Sequence, residues 1–236
     1  MFGLMTSFLN QMLMKIFLIA FCGLFAACVE RHVNESGYLS TGGRMSLEGE
    51  MKSAGLTIVQ GGMEIDLAYA KDDPTGQLNF LKKNVYGTMR QCFLQPEVAA
   101  KLNSAQILLK KRLGHQATLV LFDCARPRSV QRAMWAILPD SRYVANPETG
   151  SRHNFGASVD LTFRDAGGSI ADMGVPFDHF GPESAFDYEG VSDSAKKNRL
   201  ILRQVMQDAG FIPYDAEWWH FDGVANPRER FKILDF

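Results

Sequence analysis

Residues 151–163 read SRHNFGASVDLTF, and the second half of this stretch alternates without a break. Ala157, Val159, Leu161 and Phe163 fall on one side of an extended chain, and Ser158, Asp160 and Thr162 on the other. A period of two marks a strand with one apolar face, so Asp160 projects from the opposite face. His153 stands seven positions before Asp160, and Gly156 lets the chain turn between them because it carries no Cβ. Histidine nitrogen and carboxylate oxygen are common zinc ligands. Two ligands do not make a site, so the rest of the chain must supply a third.

Outward from this strand, helical and extended patterns mix irregularly. PEVAAKLNSAQILLKKRL (96–113) predicts a helix, with Pro96 in its first turn, Val98, Leu102, Ala105 and Leu109 along one face, and Gly114 closing it. ATLVLFD (117–123) is short, apolar and partly β-branched, which predicts a buried strand. SVQRAMWAIL (129–138) and SAKKNRLILRQVMQDA (194–209) predict two further helices, the latter ended by Gly210. EWWHFDGV (217–224) reads as a final strand with an irregular entry. Without regular strand–helix–strand repetition, the fold class is α+β: a largely antiparallel central sheet with flanking helices in one domain.

The bulk numbers exclude more than they assign. The chain has 236 residues, 46% hydrophobic and 22% charged, with a net charge of −1. That suffices for one real core and leaves no basic face for nucleic acid. The first residues differ from the rest. KIFLIAFCGLFAAC (15–28) is a lysine, a short apolar run and small residues, which fits residues 1–27 as a signal peptide. LFAAC resembles a bacterial lipobox, with Cys28 as the lipidated first residue after cleavage; a plain secretory signal cleaved near Ala27 is the alternative. The polar, glycine- and serine-rich stretch that follows reads as a flexible tether over 28–55, with the domain occupying 56–236. The expectation is an exported, periplasmic, membrane-anchored lipoprotein. Cys92 and Cys124 then remain as an even pair, which permits a disulfide in an exported protein; two buried free thiols are the alternative.

Of five histidines, His32 falls in the tether and His115 after a helix end. His153 and His220 each lie near an acidic residue in an extended segment. With Asp160 they make a three-ligand set that leaves a fourth zinc position to water. Glu217 precedes His220 by three residues, an offset that on a regular strand would send the two side chains to opposite faces. A bend at Glu217 would instead bring its carboxylate within reach of water at the same metal. The alternative makes Trp218 and Trp219 core residues and their polar neighbours caps.

SRHNFGASVDLT and EWWHF together resemble the two zinc motifs of the D-alanyl-D-alanine dipeptidases of the VanX type, among the M15 metallopeptidases. NFLKKNVYG, CFLQPEVAAKL, FDCARPRSVQ and MGVPFD follow in the family's order, so the resemblance covers the chain from about Asn79 to its end. It implies one zinc ion held by His153, Asp160 and His220, Glu217 as catalytic base, and Arg126 stabilising the transition state. Asp123 would support Arg126, and Ser151 and Asp178 would bind substrate. The family often carries an aromatic residue where this chain has Ala125. The implied activity is hydrolysis of D-Ala-D-Ala into two D-alanines in the cell envelope. A peptidoglycan D,D-carboxypeptidase with the same chemistry and a zinc-stabilised binding module without activity are the alternatives. The implied partners are a small dipeptide and, through the lipid, a membrane; oligomeric state is not legible.

Overall fold

The computed structural model of the chain describes residues 45–236. Its elements follow in the order α1 (Leu47–Ser53), β1 (Thr57–Ile58), β2 (Glu64–Ile65), β3 (Phe93–Leu94), α2 (Pro96–Leu113), β4 (Thr118–Asp123), α3 (Arg128–Ile137), β5 (Ser158–Arg164), α4 (Asp193–Asp208), β6 (Ile212–Pro213), β7 (His220–Asp222) and α5 (Pro227–Arg230). The expected signal peptide, Cys28, His32 and the first part of the tether lie outside the described residues.

The expected domain start at 56 needs correction. Ser46 caps α1 by accepting a hydrogen bond from the Gly49 backbone N–H, and Met51 is fully buried. A capped helix with an anchored apolar side chain is not a tether, and the compact unit runs from Ser46 to Phe236.

Five strands form the main sheet in the order β2-β4-β5-β7-β6. Only β2 and β4 run parallel; the other pairs are antiparallel, as the sequence pattern predicts. β1 and β3 pair separately. Helix α2 packs against β4 and α4, burying Val98, Leu102, Ala105 and Leu109. The apolar face of β5, from Ala157 to Phe163, is buried as expected. Its polar face is buried too, and of that face Ser158 and Asp160 meet polar partners, Ser158 at Asp222 and Asp160 at His220, while Thr162 sits among apolar side chains. Burying such groups is tolerated only where partners meet them, and that requirement shapes the site.

β7 is shorter than the expected 217–224. Trp218 and Trp219 form a turn in which the His220 N–H donates to the Glu217 carbonyl at 3.3 Å. Both indoles are buried, edge to face with ring centroids 5.2 Å apart. The bend expected at Glu217 is therefore present, and the tryptophans are core residues as well.

Two further features hold the loops around the sheet. Cys92 and Cys124 form a disulfide, which settles the thiol alternatives and cross-links β3 to the end of β4 across 32 residues. In the chain-entropy account, closing a loop of that length contributes about 3–4 kcal/mol. Arg199 on α4 is almost wholly buried and donates to the carbonyls of Met173, Glu183 and Ala185, pinning the segment that contains Asp178.

Gly156 sits between the first two expected ligands at φ +64, where an added Cβ would lie 2.7 Å from Leu56 Cδ2. Gly156→Ala is expected to cost about 1–2 kcal/mol from left-handed strain alone. The check is a lower denaturant midpoint at unchanged m-value.

Candidate metal centre

Residues 152–155 make one 3-10 turn, capped at Ser151. The Ser151 hydroxyl accepts from the His153 N–H, and Asn154 Oδ1 accepts from the Ser151 N–H. This reciprocal cap fixes the turn. Gly156 in the left-handed region then releases the chain into β5. Asp160 pairs in register with His220 on β7, so two of the three expected ligands face each other across adjacent antiparallel strands.

The ligand atoms converge. His153 Nε2 lies 3.3 Å from Asp160 Oδ2 and 3.3 Å from His220 Nδ1, and His220 Nδ1 lies 2.9 Å from Asp160 Oδ1. One ligand atom from each residue falls within 4.8 Å of the others. The remaining ring nitrogens are already engaged. His153 Nδ1 is 2.8 Å from the Cys124 carbonyl, and His220 Nε2 is 3.0 Å from Asp222 Oδ1. Acceptors at those two atoms favour protons there, so that a bound cation would find the inward nitrogens as lone-pair donors, displacing any proton on His220 Nδ1. Two imidazoles and one carboxylate in this arrangement fit a divalent cation of zinc character.

The charges agree with the geometry. Burial pushes the Asp160 carboxyl up, but the two imidazoles outweigh it and hold it well below the ordinary carboxylate range. Burial lowers the His220 imidazolium, yet hydrogen bonds to Asp160 and Asp222 lift its pKa to about 10.

A cavity of about 420 Å³ opens over these atoms, lined also by Tyr69, Arg126, Ser151, Asp178, Glu217 and Asp222. Every residue expected to bind metal or substrate or to act in catalysis therefore lines it, and Asp123, expected as a support, sits directly behind Arg126. The guanidinium donates through Nε to Asp123 Oδ2 at 2.9 Å, with Nη2 on the same oxygen. Its Nη1 donates to Gln131 Oε1 at 3.1 Å. Tyr86 donates to the other Asp123 oxygen at 2.6 Å. An aromatic ring lies over the guanidinium despite Ala125: that of Tyr69, at 5.5 Å.

Glu217 has its pKa raised, by burial first, with the nearby imidazoles and Arg126 pulling the other way. Asp178 holds an uncommon left-handed backbone at φ +58 and accepts a hydrogen bond from the Tyr69 hydroxyl. Burial raises the Asp178 carboxyl well above its ordinary value, and the charges of Asp160 and Glu217 add to the effect.

Sequence reasoning missed Asp222, Tyr69, Tyr86 and Gln131. Asp222 had a usable signal, because on a strand two residues apart share a face, and His220 and Asp222 do. Tyr86 and Gln131 fall inside NFLKKNVYG and FDCARPRSVQ, where the resemblance to the family was a signal, and Tyr69 comes from a distant segment with no local pattern. Asp222 itself is held by Ser158 Oγ at 2.6 Å and by Arg152 at 3.0 Å. Partners that orient a ligand typically carry 10–100-fold in metal affinity. Asp222→Ala is accordingly expected to weaken zinc binding by about 10–100-fold, measured by competition with a chromophoric chelator.

Residues 49–236 match the Peptidase M15 family model, described as D-Ala-D-Ala dipeptidase. The chain is 35% identical over 167 residues to the D-alanyl-D-alanine dipeptidase of Escherichia coli (strain K12), covering 71% of this chain and 82% of that protein. It is 30% identical over 186 residues to the protein of the same name from Enterococcus faecalis (strain ATCC 700802 / V583), covering 70% and 88%. A shorter match, 40% identical over 89 residues, links it to the one from Streptomyces coelicolor (strain ATCC BAA-471 / A3(2) / M145), covering 37% and 43%.

Proposed function

The chain belongs to the D-Ala-D-Ala dipeptidase family of M15 peptidases, and from that premise we propose that it is a zinc enzyme splitting D-Ala-D-Ala into two D-alanines in the cell envelope. The observation that carries this reading is the convergence of His153 Nε2, Asp160 and His220 Nδ1 in a cavity that Glu217 and Arg126 also line.

Zinc, when bound by these three residues, supplies Lewis acidity and makes a water ionise near neutral pH. The chain's own groups do the rest. Glu217, its pKa raised by burial, takes a proton from the attacking water and passes it to the leaving amine. Arg126, always charged and held by Asp123 and Gln131, meets the negative charge that develops on the scissile carbonyl oxygen. Asp178 receives the ammonium of a free dipeptide; that positive charge brings the carboxyl back to its ionised form. The Ser151 hydroxyl, an acceptor toward His153 N–H, keeps its own O–H to donate to substrate.

Zinc-loaded protein is to be assayed on D-Ala-D-Ala and on a pentapeptide ending in the same unit, with and without chelator. Rapid, chelator-sensitive cleavage of the dipeptide with little on the pentapeptide is the expected result. A preference for the pentapeptide would make the protein a D,D-carboxypeptidase. Zinc uptake with no hydrolysis of either would leave a binding module.

Export and anchoring rest on the signal-like residues 1–27 and the lipobox ending at Cys28. Cys28→Ala is expected to abolish incorporation of a labelled fatty acid and to release the protein from the membrane fraction. Retention of label would sink the anchor.

A further inference from the structure

Residues 124–127, between β4 and α3, belong to no helix or strand, yet they are buried. Buried backbone outside a ladder must find its partners elsewhere, and here the partners are the site. The Cys124 N–H donates to Asp123 Oδ1 at 2.9 Å, and the Arg126 N–H donates to the His153 carbonyl at 2.9 Å. The Cys124 carbonyl accepts from His153 Nδ1 at 2.8 Å, and the Arg126 carbonyl accepts from Asn154 Nδ2 at 2.6 Å. One short segment therefore carries the transition-state arginine and orients a metal ligand.

That segment is tied to β3 by two links. One is the hydrogen bond from the Ala125 N–H to the Phe93 carbonyl at 2.9 Å. The other is the disulfide from Cys92, the residue before Phe93. Among the described residues, β3 lies outside the main sheet and pairs with β1 alone. Without the disulfide, the polar link from residues 124–126 to β3 is this one hydrogen bond among the described residues, beside the apolar packing of Phe93 and Ala125 in the core.

We infer that the Cys92–Cys124 disulfide is a positioning element of the metal centre, holding the Cys124 carbonyl where it keeps the His153 proton on Nδ1 and leaves Nε2 to the metal. The inference rests on the zinc reading above. An imidazole whose outer nitrogen loses its acceptor can rotate or change tautomer, and either removes the inward lone pair. The same displacement moves Arg126, so metal affinity and turnover fall together. A cross-link that served stability alone would affect neither in folded protein.

The test compares wild type with Cys92→Ala/Cys124→Ala and with Cys92→Ala/Cys124→Val, the second of which refills part of the vacated space. Fold is checked by circular dichroism. Histidine ring 15N spectra of the metal-free proteins read the His153 tautomer, and competition with a chromophoric chelator reads zinc affinity. Wild type should show an Nδ1-protonated ring. The variants should show a mixture of tautomers and about 10-fold or greater loss of zinc affinity, with kcat lowered and KM little changed. Native-state reduction of wild type by a phosphine, followed by mass, provides the same reading where a variant does not fold. Folded or reduced protein with unchanged zinc affinity and an unchanged His153 tautomer overturns the inference and leaves the disulfide a stabilising cross-link. Wild type that takes up no zinc overturns the zinc reading, and this inference with it.

Discussion

Glu217→Ala is expected to lower kcat by about 10²–10⁴-fold while the protein still carries its zinc. The carboxylate lines the cavity beside the ligand cluster but is not one of the three residues whose donor atoms converge. Its place follows from the turn at Trp218–Trp219, which breaks strand geometry and swings Glu217 to the same side as His220. Burial raises its pKa, and a more basic carboxylate accepts a proton from water more readily. Glu217→Gln keeps the shape and removes the base, so it should fail almost as badly. Metal content by elemental analysis, set beside kcat, separates base from ligand: zinc lost in step with activity would mean that Glu217 holds the metal.

Arg126→Ala carries the second large effect, and it has two parts. Removing a preorganised positive charge from the developing oxyanion costs about 10²–10³-fold in kcat. The same change leaves Asp123 buried with no cationic partner, its side chain wholly shielded from solvent. Breaking a buried pair on one side typically costs about 3–5 kcal/mol, although Tyr86 continues to satisfy one oxygen. Arg126→Lys separates the two parts. A lysine restores charge but cannot reproduce the fork that meets Asp123 through Nε and Nη2 and Gln131 through Nη1. Stability should partly return and kcat should not. Unfolding midpoints and single-turnover rates of the three proteins decide it; a lysine variant with wild-type kcat would show that charge alone suffices.

How much was legible depended on whether a residue's role is written along the chain or across it. The apolar stripe Val98, Leu102, Ala105, Leu109 and the alternation from Ala157 to Phe163 are local periods, and both elements form where the patterns place them. The three helices expected at 96–113, 129–138 and 194–209 are present within one residue at each end. The start of the domain is not legible because Ser46–Ser53 is polar by composition, and a helix held by one cap and one buried methionine has almost no period to detect. Tyr69, Tyr86 and Gln131 escaped notice for a different reason: each is an ordinary residue that matters only through what it touches.

The sequence by itself determined the main element types and the largely antiparallel character of the sheet, since periodicity is a property of neighbours along the chain, and its resemblance to the family pointed to His153, Asp160, His220, Glu217 and Arg126 but not to Tyr69 or Asp222. Only the tertiary structure decided which nitrogen of each histidine faces inward, that Asp222 and the Cys124 carbonyl hold the other nitrogens, and that Cys92 and Cys124 are bonded. The physical reason is that a hydrogen bond or a disulfide depends on separations of a few ångströms between groups 29 or 32 residues apart. Such proximity is set by how strands and loops pack; an even pair of cysteines or a shared strand face permits it, but only packing makes the contact.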